Sequence, residues 1–108
     1  MANTFKNKGQ VCTVSLTQVY TASSGTTAVV LMIQATNVTS RADTLTLVWT
    51  DSANGNAVTH LCYQVPIPAQ QSVGCLTGKM VLKYGDTLKA QCGTQTAIEL
   101  TVSVLETS

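Results

Sequence analysis

The chain has 108 residues, of which 44% are hydrophobic and 10% are charged. This length is enough for one domain with a single core and too short for two. Six Lys or Arg and five Asp or Glu give a net charge of +1, which excludes the strong positive field that attracts nucleic acid or an acidic membrane surface. We therefore expect protein partners, and no nucleic acid, membrane or small-molecule substrate.

Residues 1–10 are polar and lack apolar alternation, so they are predicted to form an N-terminal arm in front of a single domain over 11–108. The arm carries one aromatic side chain, Phe5, next to Lys6 and Lys8. Two interpretations remain open: a frayed terminus, or an intersubunit arm in which Phe5 docks on a neighbouring copy. No apolar stretch follows the two lysines, so the arm does not resemble a signal peptide, and we expect synthesis and assembly in a cytoplasm.

The remainder predicts short strands, because Thr and Val dominate, Gly and Asn-Gly mark turns, and no segment has a helical apolar period. The first strand is predicted over 11–21, with Cys12, Val14 and Leu16 on one face and Thr13, Ser15 and Thr17 on the other. A turn follows at 23–25. Residues 28–37 are initially apolar on both faces, as expected of a central strand.

A hairpin is predicted next, with its turn at Asn54-Gly55 between strands over 44–51 and 57–65. Alternation assigns the inward side chains of this hairpin as Leu45, Leu47, Trp49, Leu61, Tyr63 and Val65. It assigns the outward side chains as Thr44, Thr46, Thr50, His60, Cys62 and Gln64.

Pro66 and Pro68 lack the backbone donor of a central strand, so they predict an edge strand or a crossing between sheets. Shorter strands are predicted over 72–77, 79–83 and 87–92, with turns at Gly78 and Gly85-Asp86, and a last strand over 97–106. About eight strands with this spacing predict an all-β fold, a two-sheet antiparallel β-sandwich of jelly-roll type.

The four cysteines contain no C-x-x-C spacing, which argues against a zinc site and against thioredoxin-like redox chemistry. Cys12 and Cys92 share their faces with apolar residues and are predicted to be buried. Cys62 is predicted to be either accessible or covered by the second sheet, and Cys75 to be exposed at an edge. Intersubunit disulfides, internal disulfides in any of the three pairings that four cysteines allow, and free thiols all remain open.

Residues with catalytic potential are scattered. The single histidine, His60, has no nucleophile or metal-ligand pattern around it, and the five acids stand alone in the sequence, several of them at turns where they cap backbone amides. Trp49 is in phase with the core and so is predicted to pack there. We therefore expect no enzyme: no catalytic residue, no cofactor-binding residue, no metal ligand and no cofactor.

Several segments resemble small structural proteins of tailed bacteriophages. They are MANTFKN at the start, VYTA at 19–22, ATN at 35–37, VPIP at 65–68, MVLKYGDTLKA at 80–90 and LTVSVLE at 100–106. The resemblance implies a β-sandwich subunit of the neck and collar, the capsid exterior or the tail. The cysteines depart from that pattern, since such positions usually carry aliphatic or small residues, and this raises the expectation of a cross-linked sheath or collar.

The sequence therefore predicts a repeated, sheath-like structural subunit of a virion that contacts copies of itself and other virion proteins such as capsid, portal, neck or tail. Cysteines that pair after lysis would slow its dissociation. The alternative function is a host-recognition module of the virion that binds a surface polysaccharide through its loops.

Overall fold

A computed structural model describes residues 3–76 and 78–107. Within them the chain forms nine β-strands and one short 3-10 helix, η1. The strands are β1 Asn3–Val11, β2 Thr17–Thr21, β3 Thr27–Asn37, β4 Asp43–Asp51, β5 Ala57–Ile67, β6 Ser72–Gly74, β7 Met80–Leu82, β8 Thr87–Cys92 and β9 Ile98–Thr107, and η1 is Ser52–Asn54.

The strands form two antiparallel sheets. The first sheet has the order β1-β9-β3-β6, with β7 also pairing with β3, and the second has the order β2-β8-β4-β5. Since β6 and β7 pair with opposite halves of β3, they occupy one edge position between them. If β6 and β7 are counted as one strand, the strands pair from the two ends of the chain inwards: β1 with β9, β2 with β8, β3 with β6 and β7, and β4 with β5. This order of pairing is that of one long hairpin folded into two sheets, which is the jelly-roll arrangement. The predicted jelly-roll architecture is therefore confirmed.

Side chains of both sheets form one hydrophobic core between them. Ile33 and Leu100 from the first sheet, and Leu45, Leu47 and Leu88 from the second, are each at most 1% exposed. Their burial is the main favourable contribution to the fold, at about 1.5–3 kcal/mol per large apolar side chain. Trp49 packs against the margin of this core, in agreement with its predicted role.

The predicted first strand over 11–21 is wrong. Val11 ends β1 in the first sheet, Thr17 begins β2 in the second, and the residues between them carry the chain across the sandwich. Val14 and Leu16 in this crossing are 46% and 45% exposed, so they do not face inward. The residues predicted as an arm form most of β1, because their backbone pairs with β9 from Asn3↔Thr107 onward although their side chains lack apolar alternation.

Strand β5 also departs from simple alternation. Its register against β4 shifts twice, between Leu45 and Leu47 and between Leu47 and Val48, and Gln64 has a φ of +49°. Each extra residue in a bulge reverses the face of the side chains beyond it. Tyr63, predicted inward, is therefore 64% exposed. Thr50, predicted outward on β4, is buried.

Candidate interaction edge and cysteine pairs

Strand β1 is the outermost strand of the first sheet, and within residues 3–76 and 78–107 its one pairing partner is β9. Its register with β9 runs without a shift over the nine residues of the strand. Residues 3–9 are exposed on both faces of the strand, and Phe5 is 74% exposed. The three residues predicted as an intersubunit arm, Phe5, Lys6 and Lys8, thus lie together on a strand that leaves one backbone edge open.

Lys6 ties this strand to the body of the sandwich. Its Nζ lies 3.0 Å from Oε1 of Glu106 on β9. The hydroxyl of buried Tyr20 on β2 donates to Oε2 of the same carboxylate, so Glu106 links three strands. The hydrogen bond from Tyr20, followed by that from Lys6, lowers the pKa of Glu106, whereas burial and then the contact with Glu106 raise the pKa of Tyr20.

Cys12 and Cys92 form the first cysteine pair. The Cys12 amide donates to the carbonyl of Ile98, which begins β9 in the first sheet, whereas Cys92 ends β8 in the second. Both sulfur atoms approach one carbonyl oxygen, that of Thr13, at 3.9 Å from Cys12 and 3.5 Å from Cys92. Both side chains are buried, as predicted. Burial and then the adjacent Cys92 thiol raise the pKa of Cys12 to about 12.

Cys62 and Cys75 form the second pair. The Cys75 amide donates to Ile33 of β3 in the first sheet, and Cys62 lies on β5 in the second, with its sulfur 3.9 Å from the Cys75 carbonyl oxygen. Cys62 is half-buried, between the two predicted alternatives. Cys75 is only 8% exposed, so its predicted edge exposure is wrong: it faces the core beyond the end of β6. Burial and then Cys62 raise the pKa of Cys75 to about 12.

Asp86 is the most completely bonded acid among the described residues. It is fully buried and accepts hydrogen bonds from the backbone and hydroxyl of Ser52, from the Lys83 amide and from Trp49 Nε1, at 2.9 to 3.3 Å. Burial acts to raise the pKa of Asp86, but these donors outweigh it and the pKa is lowered. The Gly-Asp turn in the sequence predicts that Asp86 accepts from a nearby backbone amide. The contacts of Asp86 with Trp49 and Ser52 could not be predicted, because they depend on tertiary structure.

Two other features contain aromatic side chains. His60 is exposed on β5 and meets Tyr63 edge-on, with ring centroids 4.9 Å apart. Tyr84 is 65% exposed. Tyr84 borders a recess of about 380 Å³ whose other lining residues are Ser52, Ala53, Lys83 and Gly85.

No three His, Cys, Asp or Glu side chains in 3–76 and 78–107 are grouped so that they could hold a metal ion. In the same part of the chain, no helix has the length and apolar character needed to cross a membrane.

No protein-family model matches the chain, and no curated protein matches it. Among solved structures it is similar to an endospore appendage of Bacillus, from a family described as disulfide-linked pili, at 10% identity and a TM-score of 0.56 over 97% of this chain and 84% of that one. It also matches two structures described as a pentameric capsid protein from metagenomic phage sequences. These have 17% identity and a TM-score of 0.40 over 96% of this chain and 60% or 59% of theirs. At these identities the likeness to the appendage concerns the fold.

Proposed function

We propose that this chain is a non-catalytic structural subunit that assembles with copies of itself through the open edge of β1. The observation that carries the proposal is the contrast between β1 and the other sheet edges. Strand β1 pairs in unbroken register over nine residues and leaves its second edge free. A long, flat edge strand is a template for pairing with another chain.

The other described edges are blunted. Strands β6 and β7 have three residues each. Strand β2 has five residues and a register shift between Gln18 and Tyr20. Strand β5 is long, but it has two register shifts and contains Pro66, which has no backbone donor. Such bulges, prolines and short lengths are among the features that prevent edge-to-edge pairing, and the described part of β1 has none of these three. Lysine on an edge strand is a further feature of this kind, and β1 carries two, Lys6 and Lys8.

The charge of the chain favours a second copy as the partner. A net charge of +1 gives little repulsion between copies. Lys6 would oppose pairing if its charge were free, but Glu106 of the same chain holds it. Phe5 adds an aromatic side chain at the open edge, and burying such a side chain contributes about 1.5–3 kcal/mol.

We propose that this assembly belongs to the virion of a tailed bacteriophage, where it forms an accessory or sheath-like coat of the neck, collar or capsid. This part rests on the resemblance of the sequence segments, with other virion proteins as further partners. The subunit would be assembled in the host cytoplasm and then be extracellular. A pilus subunit shares the fold, so the fold is compatible with polymers. The burial of three of the four thiols does not favour disulfides between copies as the main contact.

Sedimentation velocity over a range of concentrations, with electron microscopy of the products, tests the proposal. The chain should form oligomers, and Phe5→Ser should weaken association by about tenfold or more, since about 1.4 kcal/mol corresponds to tenfold. Val81→Ser is the matched control, because Val81 is also exposed but lies on short β7. A chain that stays monomeric at high concentration, or equal loss in both variants, would contradict the proposal.

The recess beside Tyr84 favours one second candidate, a module that binds a host-surface polysaccharide. An exposed aromatic ring next to Ser52 and Lys83 provides an apolar face with polar donors at its border, as a sugar ring requires. A glycan array tests this function. Binding that Tyr84→Ala removes and Tyr63→Ala leaves intact would support it, and an array without binding would rule it out.

A further inference from the structure

We propose that the four cysteines form two internal disulfide sites, Cys12 with Cys92 and Cys62 with Cys75, each of which ties one sheet of the sandwich to the other. The inference goes beyond the proposed function, since it concerns bonds within one copy. It selects one of the three pairings that the sequence leaves open.

The backbone around Cys12 and Cys92 already brings the two residues together. Cys92 donates its amide to Thr13, next to Cys12, at 2.9 Å, and the Cys12 carbonyl accepts from Thr96 at 3.1 Å. The two sulfur atoms approach the same Thr13 oxygen. A disulfide requires Cα atoms within about 7 Å and side chains that point towards each other. Each cysteine is hydrogen-bonded through its backbone to a residue close to the other, and the two thiols are adjacent, so we infer that the bond can form without a rearrangement of the sheets.

The second pair, Cys62 and Cys75, also joins one sheet to the other, at a different place in the fold. Cys75 is anchored to β3 by its amide at 2.9 Å from the Ile33 oxygen, and Cys62 is held on β5 opposite Leu47. Both side chains pack on the common core rather than on an outer face. The buried thiols of Cys12, Cys75 and Cys92 therefore cannot reach the cysteines of another copy without opening the sandwich, and the half-buried Cys62 has Cys75 beside it as a partner within its own copy.

The oxidant in this proposal is a small-molecule disulfide such as glutathione disulfide. The half-buried Cys62 loses its proton, and its thiolate attacks one sulfur of the reagent, which gives a mixed disulfide and releases one glutathione thiolate. The Cys75 thiolate then attacks the Cys62 sulfur and expels the second glutathione. Two S–H bonds of the protein are replaced by one S–S bond, and the reagent is reduced to two thiols, which take up the two protons. Cys12 and Cys92 react in the same way.

The pairs differ in access, so they differ in rate. Cys62 is the most exposed of the four cysteines, whereas Cys12 and Cys92 are 1% and 4% exposed. Thiol–disulfide exchange requires contact between the reagent and a thiolate. The Cys62–Cys75 bond should therefore form first in the folded chain, and the Cys12–Cys92 bond should wait for local opening.

Peptide mapping of the oxidised full chain without reduction tests the pairing. Trypsin cuts after Lys8, Arg41, Lys79 and Lys89, which places Cys12 in 9–41, Cys92 in 90–108, and the other two cysteines in 42–79. We expect 9–41 joined to 90–108, and 42–79 lighter by two hydrogen atoms. Chymotrypsin, which cuts after Tyr63, should leave the Cys62 and Cys75 fragments joined until a reductant is added.

A non-reducing gel of the same sample separates internal bonds from bonds between copies. We expect a monomer band, and loss of thiol labelling by iodoacetamide. A ladder of covalent multimers, a link between 42–79 and either of the other two cysteine peptides, or thiols that remain unpaired after prolonged exposure to the reagent would overturn the proposal. Sedimentation measures non-covalent assembly separately. A chain that forms both internal disulfides but stays monomeric in sedimentation would contradict the proposed function and leave the disulfide proposal intact.

Two variants make the assignment specific. Cys75→Ser leaves Cys62 without its partner, so it should accumulate one glutathione adduct at Cys62, which the wild type does not retain. The double variant Cys12→Ser/Cys92→Ser should still form the Cys62–Cys75 bond at the wild-type rate. An adduct-free Cys75→Ser protein under the same conditions would contradict the proposed route through Cys62.

Discussion

At the scale of single residues, two threonines of β4 show how the effect of a hydroxyl group on stability depends on its hydrogen-bond partner. Thr50 is buried, and its Oγ1 has no hydrogen-bond partner within the described residues. The Oγ1 of Thr46 accepts a hydrogen bond from the backbone amide of Gln64 at 3.1 Å, at the bulge in β5. A buried polar atom without a partner costs about 1–3 kcal/mol, whereas a hydrogen bond to a fixed donor stabilises.

We expect Thr50→Val to raise the free energy of unfolding by about 1 kcal/mol, because valine keeps the shape and removes the unpaired hydroxyl. Thr46→Val, the matched variant, should lower it by about 1 kcal/mol, since it leaves the Gln64 amide without its acceptor. Urea unfolding curves measure both changes. Equal effects of the two substitutions would show that hydrogen bonding does not distinguish the sites.

Asp86 gives a second prediction at this scale. Its carboxylate accepts from Trp49, Ser52 and Lys83, so Asp86→Asn replaces one acceptor oxygen by a donor that faces other donors. We expect a loss of about 2–3 kcal/mol in unfolding free energy. The fluorescence of Trp49, the only tryptophan, should shift as well. Glu99→Gln is the control, because Glu99 is exposed, and it should change stability by less than about 0.5 kcal/mol.

At the scale of elements, β1 is distinguished by how little of the core it supplies. Residues 3–9 are exposed, and the strand is held by its backbone pairing with β9 and by the contact between Lys6 and Glu106. Removal of a strand that buries no large apolar side chain costs hydrogen bonds but creates no cavity. The body of the sandwich should therefore tolerate its loss.

A chain lacking residues 1–8 is thus expected to keep its β-sheet circular dichroism and cooperative unfolding, with a lower unfolding free energy. It should lose concentration-dependent association, because the proposed contact is absent. Sedimentation velocity and thermal unfolding of the same sample separate the two properties. An unfolded product would show that β1 is part of the folding core, and a folded product that still associates would place the contact elsewhere.

The elements also show what the sequence could predict. Strands β3, β4 and β8 lie within one residue of their predicted bounds, because alternation in β4 and β8, and a continuous apolar run in β3, each bounded by turns, identify a strand. Strand β1 was missed as a strand because backbone pairing with β9 is a non-local interaction that leaves no pattern in exposed polar side chains. The inward assignment of Tyr63 failed because a bulge such as that at Gln64 depends on the partner strand.

The candidate sites were predictable to different degrees. Alternation placed Cys12 and Cys92 among apolar residues, and the structure confirms their burial. It could not bring Cys62 to Cys75, because that contact joins different sheets and depends on how the chain crosses between β5 and β6. The sequence placed Phe5 in a polar segment, but its position on an edge strand depends on the non-local pairing of β1 with β9.

At the scale of the whole molecule, the redox state of the cysteines should decide stability at alkaline pH. In the reduced chain, the pKa values of Cys12 and Cys75 are raised to about 12, whereas thiols of the unfolded chain ionise near 9.0. The unfolded state therefore binds fewer protons than the folded state between these pH values. The stability of the reduced chain is complete below about 9 and falls as the pH rises towards 12.

The oxidised chain has no such thiols, so its stability should exceed that of the reduced chain by an amount that grows with pH in this range. Below this pH range, the bonds should add about 3 kcal/mol for Cys62–Cys75 and about 4.5 kcal/mol for Cys12–Cys92 through loop closure. Urea unfolding of both forms at several pH values measures the difference. Parallel stability curves for the oxidised and reduced forms would argue against the pairs.

The nested order of the strands has a consequence for the path by which the chain folds. Among the described strands, β4 and β5 alone pair while close in sequence, whereas β1 and β9 pair across nearly the whole chain. Closing a short loop costs less entropy than closing a long one, so structure should spread from the central hairpin outwards, slowly, as is usual for folds of high contact order. Pulsed hydrogen exchange should then protect amides of β4 before those of β9. The open edge of β1 would be the last surface to form, so an unfinished chain could not present it to a neighbouring copy.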